Sequence, residues 1–143
     1  MKILFVCTGN ICRSPMAQVI FENLLKRDKV KGVTVASAGT FTIDGLPMTP
    51  TAVEALGVCG EKLGRKARKS RLFKKAMLKR YDHIVCMTAK HAEAIGAHGN
   101  VYTIDQAVGC GDVPDPFMQG LDVYTACCKM LQEALGELYR RIL

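Results

Sequence analysis

Four short, mostly apolar runs alternate with segments of helical spacing, and this alternation constrains the fold more than any other feature of the chain. The runs cover residues 3–7, 33–36, 82–87 and 101–104. Their length and their branched residues predict strands. Strands that alternate with helices are typical of a parallel sheet covered on both faces, with right-handed crossovers. We therefore predict a three-layer α/β/α fold with a four-stranded parallel sheet, formed by residues 1–143 as one domain.

The helices are predicted from apolar residues that recur every three or four positions. The first begins at Pro15, and the last begins near Asp122. The three between them cover residues 51–56, 71–80 and 89–97. The last helix has the clearest pattern. Its apolar stripe, in steps of four and three, is Tyr124, Cys128, Leu131, Leu135, Leu138 and Ile142.

Four residues are predicted to begin or end these helices. Ser14, Thr88 and Asp122 are expected as N-caps of the first, fourth and last helices, because short polar side chains satisfy free backbone N–H groups there. Gly57 is expected to end the second helix.

The net charge of +7 over 143 residues favours a polyanion, an acidic protein or a phosphorylated ligand as partner. Ten of the twenty basic residues lie between Lys62 and Arg80, with no acidic residue among them. The run is interpreted either as a solvated helix face or as a docking surface for acidic phosphoprotein sequence. It carries little aromatic interleaving and no nucleic-acid motif, so no nucleic acid partner is expected.

The seven cysteines are an odd number, which favours reduced thiols over a disulfide framework. The first apolar run is too short for a signal peptide or a membrane span. We expect a cytoplasmic protein without membrane association, and a monomer.

The segment after the first predicted strand has the composition of an anion-binding loop. Gly9 and Asn10 tolerate left-handed backbone angles, which turn N–H groups inward around an anion. The helix that Pro15 opens adds the positive end of its dipole. The residues predicted to bind phosphate are Thr8, Gly9, Asn10, Ile11, Cys12, Arg13 and Ser14.

Cys7 and Arg13 flank this loop at a spacing of six positions. A thiolate at the floor of the loop would meet a phosphate whose oxygens are clamped by the planar guanidinium. The field that binds the anion also favours the thiolate, and Ser14 can donate a hydrogen bond to the sulfur. The Cys-x5-Arg spacing is typical of cysteine phosphatases.

Residues 6–17 resemble the low-molecular-weight protein tyrosine phosphatase family. Further segments that match in family order are Ser37-Ala38-Gly39-Thr40, Lys66-Ala67-Arg68, Met87 and Asp115-Pro116-Phe117. The resemblance implies metal-independent phosphomonoester hydrolysis through a phosphocysteine intermediate, without a cofactor. It implies Cys7 as nucleophile, Arg13 and the loop N–H groups as oxyanion clamp, and Asp115 as acid.

The chemistry independently calls for a proton donor. A phenolate leaving group needs a proton at neutral pH, and the same carboxyl can later activate water. Asp115 lies between two prolines that stiffen its loop. Asp112 is expected to shape that loop instead.

Ile11 is predicted to decide the substrate. Protein-arginine phosphatases of the family carry a Thr here, whose hydroxyl can bind a phosphoguanidinium nitrogen, whereas Ile suits a phenyl ring. We favour protein phosphotyrosine and aryl phosphates as substrates, with inorganic phosphate as product, and keep phosphoarginine as the alternative. The predicted substrate walls are Ile11, Phe41, Ile43, Phe117 and Met118, with core packing as the alternative for Phe41.

Cys12 is expected to be a redox partner of Cys7, because a disulfide between them would protect the nucleophile from irreversible oxidation. The other cysteines lack metal-ligand spacing and are predicted to pack as small apolar residues. An arsenate reductase would need a further cysteine soon after Cys86, and a phosphate-binding or phosphocarrier protein would not need Arg13 and Asp115. No histidine is assigned to catalysis.

Overall fold

The computed structural model describes residues 1–65 and 68–143. Its strands are β1 (Lys2–Cys7), β2 (Thr34–Gly39), β3 (His83–Cys86) and β4 (Val101–Thr103). Its helices are α1 (Arg13–Arg27), α2 (Pro50–Val58), α3 (Ala89–Ile95), α4 (Ile104–Val108) and α5 (Leu121–Ile142), with a 3-10 turn at Lys75–Lys79. Lys66 and Ala67, two residues of the family resemblance, lie outside the described residues.

The four strands form one parallel sheet in the order β2-β1-β3-β4, as predicted. Side chains of β1 alternate between two cores because successive residues of a strand point to opposite faces. Ile3, Phe5 and Cys7 join the larger core with α1, α2 and α5. Leu4 and Val6 join a smaller core with β3 and residues of α3. The three-layer α/β/α prediction is therefore confirmed.

The apolar stripe of α5 is confirmed. Five of its six residues are buried: Tyr124, Cys128, Leu131, Leu135 and Leu138. Ile142 is partly buried and packs against the same core. The long predicted stripe thus covers the core face of the sheet.

Several predicted helix boundaries are wrong. Cys12, without a side-chain cap bond, precedes α1, so Ser14 lies inside the helix and is free to bond elsewhere. Gly120 precedes α5, and Asp122 lies in its first turn without capping it. Helix α2 continues through Gly57 to Val58. Thr88 does cap α3, as predicted.

The predicted helix over residues 71–80 is also wrong, and with it the interpretation of the basic run as a helix face. The backbone of this segment is bonded to the end of β2 instead. Gly39 N donates to the Arg71 carbonyl, and Phe73 N donates to the Gly39 carbonyl. Only Lys75–Lys79 form a helical turn.

In the described part of the chain, no helix has both the length and the apolar character needed to cross a membrane.

Candidate active site

The loop from Cys7 to Ser14, called here the Cys7 loop, connects the carboxyl end of β1 to the first turn of α1. In parallel sheets this is where ligands bind. Asn10 has a φ of 57°, so it adopts the left-handed conformation that the sequence allows for it. Gly9, for which the same conformation was expected to be tolerated, has no positive φ. The Asn10 side chain ties the loop together, because Nδ2 donates to Ser14 Oγ and Oδ1 accepts from Arg71 N.

The Cys7 sulfur lies at the floor of this loop beside Ser14. Its Sγ is 2.8 Å from Ser14 Oγ and 3.4 Å from Ser14 N. Ser14 Oγ accepts a bond from Asn10 Nδ2, and its own proton can go to the sulfur at 2.8 Å or to the more distant Ala38 carbonyl at 3.5 Å. The predicted contact between Ser14 and the sulfur is therefore present.

Arg13 is 5% exposed, and two oxygen acceptors hold its side chain. Nη1 donates to the Val113 carbonyl at 3.0 Å, and Nη2 donates to Thr8 Oγ1 at 3.3 Å. Val113 N in turn donates to the Met87 carbonyl. The guanidinium is thus fixed between the ends of β1 and β3.

Asp115 lies next to this guanidinium, with 3.6 Å between Arg13 Nη2 and Asp115 Oδ2. The other carboxylate oxygen accepts from Phe117 N at 3.1 Å, which makes a tight turn. The Asp115 side chain is 53% exposed. It is therefore accessible to a ligand and to water. Asp112 does shape the neighbouring backbone, because its carboxylate accepts from Ala89 N.

A cavity of about 280 Å³ opens above the loop. Its lining is Cys7, Thr8, Gly9, Ile11, Cys12, Arg13, Phe41, Thr42, Leu46, Asp115 and Phe117. Three chemically distinct groups, a thiol, a guanidinium and a carboxyl, thus share one opening of mixed apolar and polar character.

The predicted walls divide into two groups. Ile11, Phe41 and Phe117 line the cavity, and Phe41 is 84% exposed, which excludes core packing for it. Ile43 and Met118 are exposed, and neither is among the described residues that line the cavity. Thr42 and Leu46 line the cavity, although the sequence analysis did not single them out.

Cys12 belongs to the Cys7 loop and is 4% exposed. Its Sγ is 3.3 Å from Tyr124 Oη and 3.5 Å from Thr49 Oγ1. Burial raises the pKa of the Cys12 thiol, although the bond from Tyr124 opposes that shift. Cys12 is therefore a thiol at neutral pH.

The remaining cysteines behave as predicted. Burial raises the pKa of Cys86 and of Cys127 to about 12, and it also raises that of Cys128. Cys59 and Cys110 are partly buried and pack against the core. Within the described residues, no group of three or more His, Cys, Asp or Glu side chains could hold a metal ion.

Two residues near the site make contacts that were not predicted from the sequence. Gly39 ends β2 against the Cys7 loop, where an added Cβ would lie 2.5 Å from the Thr8 carbonyl oxygen. His91 is 5% exposed and contacts Thr8. The spacing of Thr88 and His91 is that of a capping box, and it is the one sequence signal that points to this histidine.

Comparison with known proteins identifies the family. The model of the family described as low molecular weight phosphotyrosine protein phosphatase matches residues 2–143. The chain belongs to this family. As a member of the low molecular weight phosphotyrosine protein phosphatases, it is a hydrolase of the phosphatase class.

Relatives within the low molecular weight phosphotyrosine protein phosphatases include two kinds of enzyme. The chain is 35% identical to the protein-arginine-phosphatase of Bacillus subtilis (strain 168), covering 99% of this chain and 97% of the relative. It is also 35% identical to the low molecular weight protein-tyrosine-phosphatase PtpB of Staphylococcus haemolyticus (strain JCSC1435), covering 96% and 97%.

A solved structure of the same family superposes closely. It is a cysteine-to-serine mutant of the YwlE arginine phosphatase with a phosphorylated active site serine. The TM-score is 0.90 at 34% identity, with 99% of this chain and 95% of that chain covered. The chain therefore has the fold of the low molecular weight phosphotyrosine protein phosphatases.

Proposed function

We propose that this phosphatase hydrolyses phosphotyrosine in proteins, and aryl phosphates, through a phosphocysteine at Cys7. One observation carries the proposal: Cys7, Arg13 and Asp115 line the same cavity. The phosphorylated active site serine of the YwlE mutant supports a nucleophile that is itself phosphorylated.

In the first step, the Cys7 thiolate attacks phosphorus and the bond between phosphorus and the phenolic oxygen breaks. Arg13 and the N–H groups of the Cys7 loop hold the equatorial oxygens, whose charge is stabilised in the transition state. The Asp115 carboxyl gives its proton to the departing phenolate oxygen.

In the second step, the Asp115 carboxylate takes a proton from water, and the water oxygen attacks phosphorus. The bond between sulfur and phosphorus breaks, which releases inorganic phosphate and restores the Cys7 thiolate. Ser14, 2.8 Å from the sulfur, donates a hydrogen bond that stabilises the thiolate as leaving group.

The alternative is a protein-arginine phosphatase, which the 35% identical Bacillus relative favours. Ile11 argues against it, because this side chain lines the cavity and offers hydrocarbon where a phosphoguanidinium nitrogen needs a hydrogen-bond acceptor. A phenyl ring has no such need. Phe41 and Phe117 add aromatic surface to the same cavity.

The test is phosphate release in EDTA from matched phosphotyrosyl and phosphoarginyl peptides. We expect selective turnover of phosphotyrosine by the wild type, none by Cys7→Ser, and a shift toward phosphoarginine in Ile11→Thr. Selective turnover of phosphoarginine by the wild type would keep the cysteine mechanism and overturn the substrate. If the enzyme hydrolyses neither peptide, the result would favour a phosphate-binding protein.

Cys12 is proposed as the redox partner of Cys7, both being part of the Cys7 loop. Peroxide oxidises the Cys7 thiolate to a sulfenic acid, the Cys12 thiol attacks that sulfur, and water leaves as the disulfide forms. A dithiol then restores both cysteines. Peroxide-treated Cys12→Ser is expected to regain less activity with dithiothreitol than the wild type, and equal recovery would contradict this role.

We further propose that residues 1–143 form one phosphatase domain that acts as a monomer in the cytoplasm. Cys7, Arg13 and Asp115 line one cavity of a single chain, and the odd number of cysteines, seven, argues against a disulfide framework. Light scattering coupled to size exclusion would test the monomer, with a dimer contradicting it.

A further inference from the structure

His91 is a buried histidine that the proposed reaction does not use. It lies in the first turn of α3, next to the carboxyl end of β3, and its side chain reaches across to the Cys7 loop. Its two ring nitrogens contact Thr8 and Thr88, which lie 80 positions apart in the chain. The contacts of each nitrogen determine where the ring carries its proton.

The Nδ1 atom accepts a hydrogen bond from the backbone N–H of Thr88 at 3.1 Å. The Thr88 hydroxyl lies 3.0 Å from the same nitrogen. A backbone N–H can only donate, so Nδ1 carries a lone pair and the proton of the neutral ring is on Nε2. Burial, aided by the positive charge of Arg13, lowers the pKa of His91 to about 4, so the ring is neutral at neutral pH.

The Nε2–H group therefore donates to Thr8 Oγ1, at 2.8 Å. The same oxygen accepts from Arg13 Nη2 at 3.3 Å, and a guanidinium has no acceptor of its own. Thr8 Oγ1 thus uses both of its lone pairs, one on the histidine and one on the arginine. This arrangement fixes the rotamer of Thr8, because a rotation about χ1 would break both bonds.

We propose that His91 is a positioning residue, which holds the Thr8 hydroxyl as an acceptor and thereby orients the Arg13 guanidinium toward the cavity. The inference rests on the proposed function, since it takes from it that Arg13 binds the phosphoryl group. Without the Nε2–H donor, Thr8 can turn away. Arg13 would then keep only the Val113 carbonyl and Asp115 as partners, and Asp115 would draw it out of the orientation that two phosphate oxygens need.

The test compares four variants with the wild type: His91→Phe, His91→Gln, Thr8→Val and the double variant His91→Phe/Thr8→Val. Phe fills the space but cannot donate, whereas Gln keeps an N–H donor close to the place of Nε2. His83→Phe is the matched control. His83 is a half-buried histidine bonded to Tyr102 at the other end of β3.

The readouts are kcat and KM for p-nitrophenyl phosphate, inhibition by inorganic phosphate, and Tm. We expect His91→Phe to lower kcat/KM on the order of 10- to 100-fold and to weaken inhibition by phosphate. We expect His91→Gln to recover most of the loss and His83→Phe to change kcat/KM by less than about twofold. In the Thr8→Val background, His91→Phe should cause no further loss of kcat/KM while still lowering Tm.

Three results would overturn the proposal. They are independent losses of kcat/KM in the double variant, equal activity of His91→Phe and the wild type, or a His91 ring protonated on Nδ1 in 15N spectra. The proposed function fails separately, if the wild type does not hydrolyse p-nitrophenyl phosphate. In that event, binding of inorganic phosphate to the same variants by calorimetry tests His91, with unchanged affinity in His91→Phe overturning its role.

Discussion

Gly39 shows at the scale of one residue how closely the sheet and the Cys7 loop approach each other. An added Cβ would lie 2.5 Å from the Thr8 carbonyl oxygen and 3.0 Å from Asn10 Cβ. Both atoms belong to the loop that holds the phosphate in the proposed mechanism. A methyl group cannot be accommodated unless the loop backbone moves.

We predict that Gly39→Ala lowers kcat/KM for p-nitrophenyl phosphate on the order of tenfold or more and destabilises the fold by about 1–3 kcal/mol. The matched control is Gly57→Ala in α2, where an added Cβ meets nothing within 4 Å. It should stabilise the protein by about 0.4–1 kcal/mol at unchanged activity. Equal kcat/KM of Gly39→Ala and the wild type would show that the close approach is not needed for function.

His91 also predicts a dependence of stability on pH. Its pKa falls from the ordinary value of 6.5 to about 4 in the folded protein, through burial and then Arg13, against the opposing effects of Asp115 and Asp112. Between these values the unfolded chain binds more protons, so the free energy of unfolding decreases as pH falls.

The measurement is Tm against pH from about 7 down to 4, for the wild type and His91→Gln. The wild type should lose more stability over this range than His91→Gln, because the variant has no titratable group at position 91. Gly57→Ala, which changes no titratable group, is the control and should keep the slope of the wild type. Identical slopes for His91→Gln and the wild type would contradict the lowered pKa.

At the scale of elements, the strands were predictable because each is a short apolar run, and β1 and β3 are buried on both faces. The α5 stripe was predictable because it covers one flat core over 22 residues. The Cys7 loop was recognised because strand, loop and helix follow each other without interruption in the sequence. These features are local, so their residues alone specify them.

The missed elements depend on distant contacts. Residues 71–80 have helical spacing, but Gly39 binds the backbone of Arg71 and Phe73, and this pairing replaces the helix. Helix α4 has five residues, too few for a periodic pattern. Its one local signal is the capping box of Thr103 and Gln106. His91 was missed for the same reason, because its partner Thr8 is distant in sequence.

The α5 stripe gives a stability prediction. Leu135 is 0% exposed in the larger core, so Leu135→Ala should destabilise the protein by about 2–5 kcal/mol through lost burial and a cavity. Glu133, two positions earlier, is exposed, and Glu133→Ala should stay within about 0.5 kcal/mol of the wild type. Denaturant unfolding measures both. A loss for Leu135→Ala no larger than that of Glu133→Ala would mean that α5 does not stabilise the core.

At the scale of the whole molecule, the net charge of +7 is concentrated in one segment next to the cleft. Arg71 N donates to Asn10 Oδ1 at 2.9 Å, which places the backbone of the basic run against the Cys7 loop. Lys74 and Lys75 follow and are exposed. We expect this charge to attract acidic residues beside a phosphotyrosine bound at Cys7, since charges interact over a Debye length of about 8–10 Å.

We therefore predict that kcat/KM for a phosphotyrosyl peptide with acidic flanks falls more steeply with salt, between about 0.05 and 0.5 M, than kcat/KM for a peptide with neutral flanks. The variant Lys74→Glu/Lys75→Glu should lower the preference for acidic flanks and leave turnover of p-nitrophenyl phosphate unchanged, because neither lysine lines the cavity. The control is Lys29→Glu/Lys31→Glu, which changes the net charge by the same amount beside another cavity. If the two double variants lose the preference for acidic flanks equally, the preference depends on net charge and not on the position of the basic run. If kcat/KM for the two peptides falls equally with salt, the basic run has no docking role.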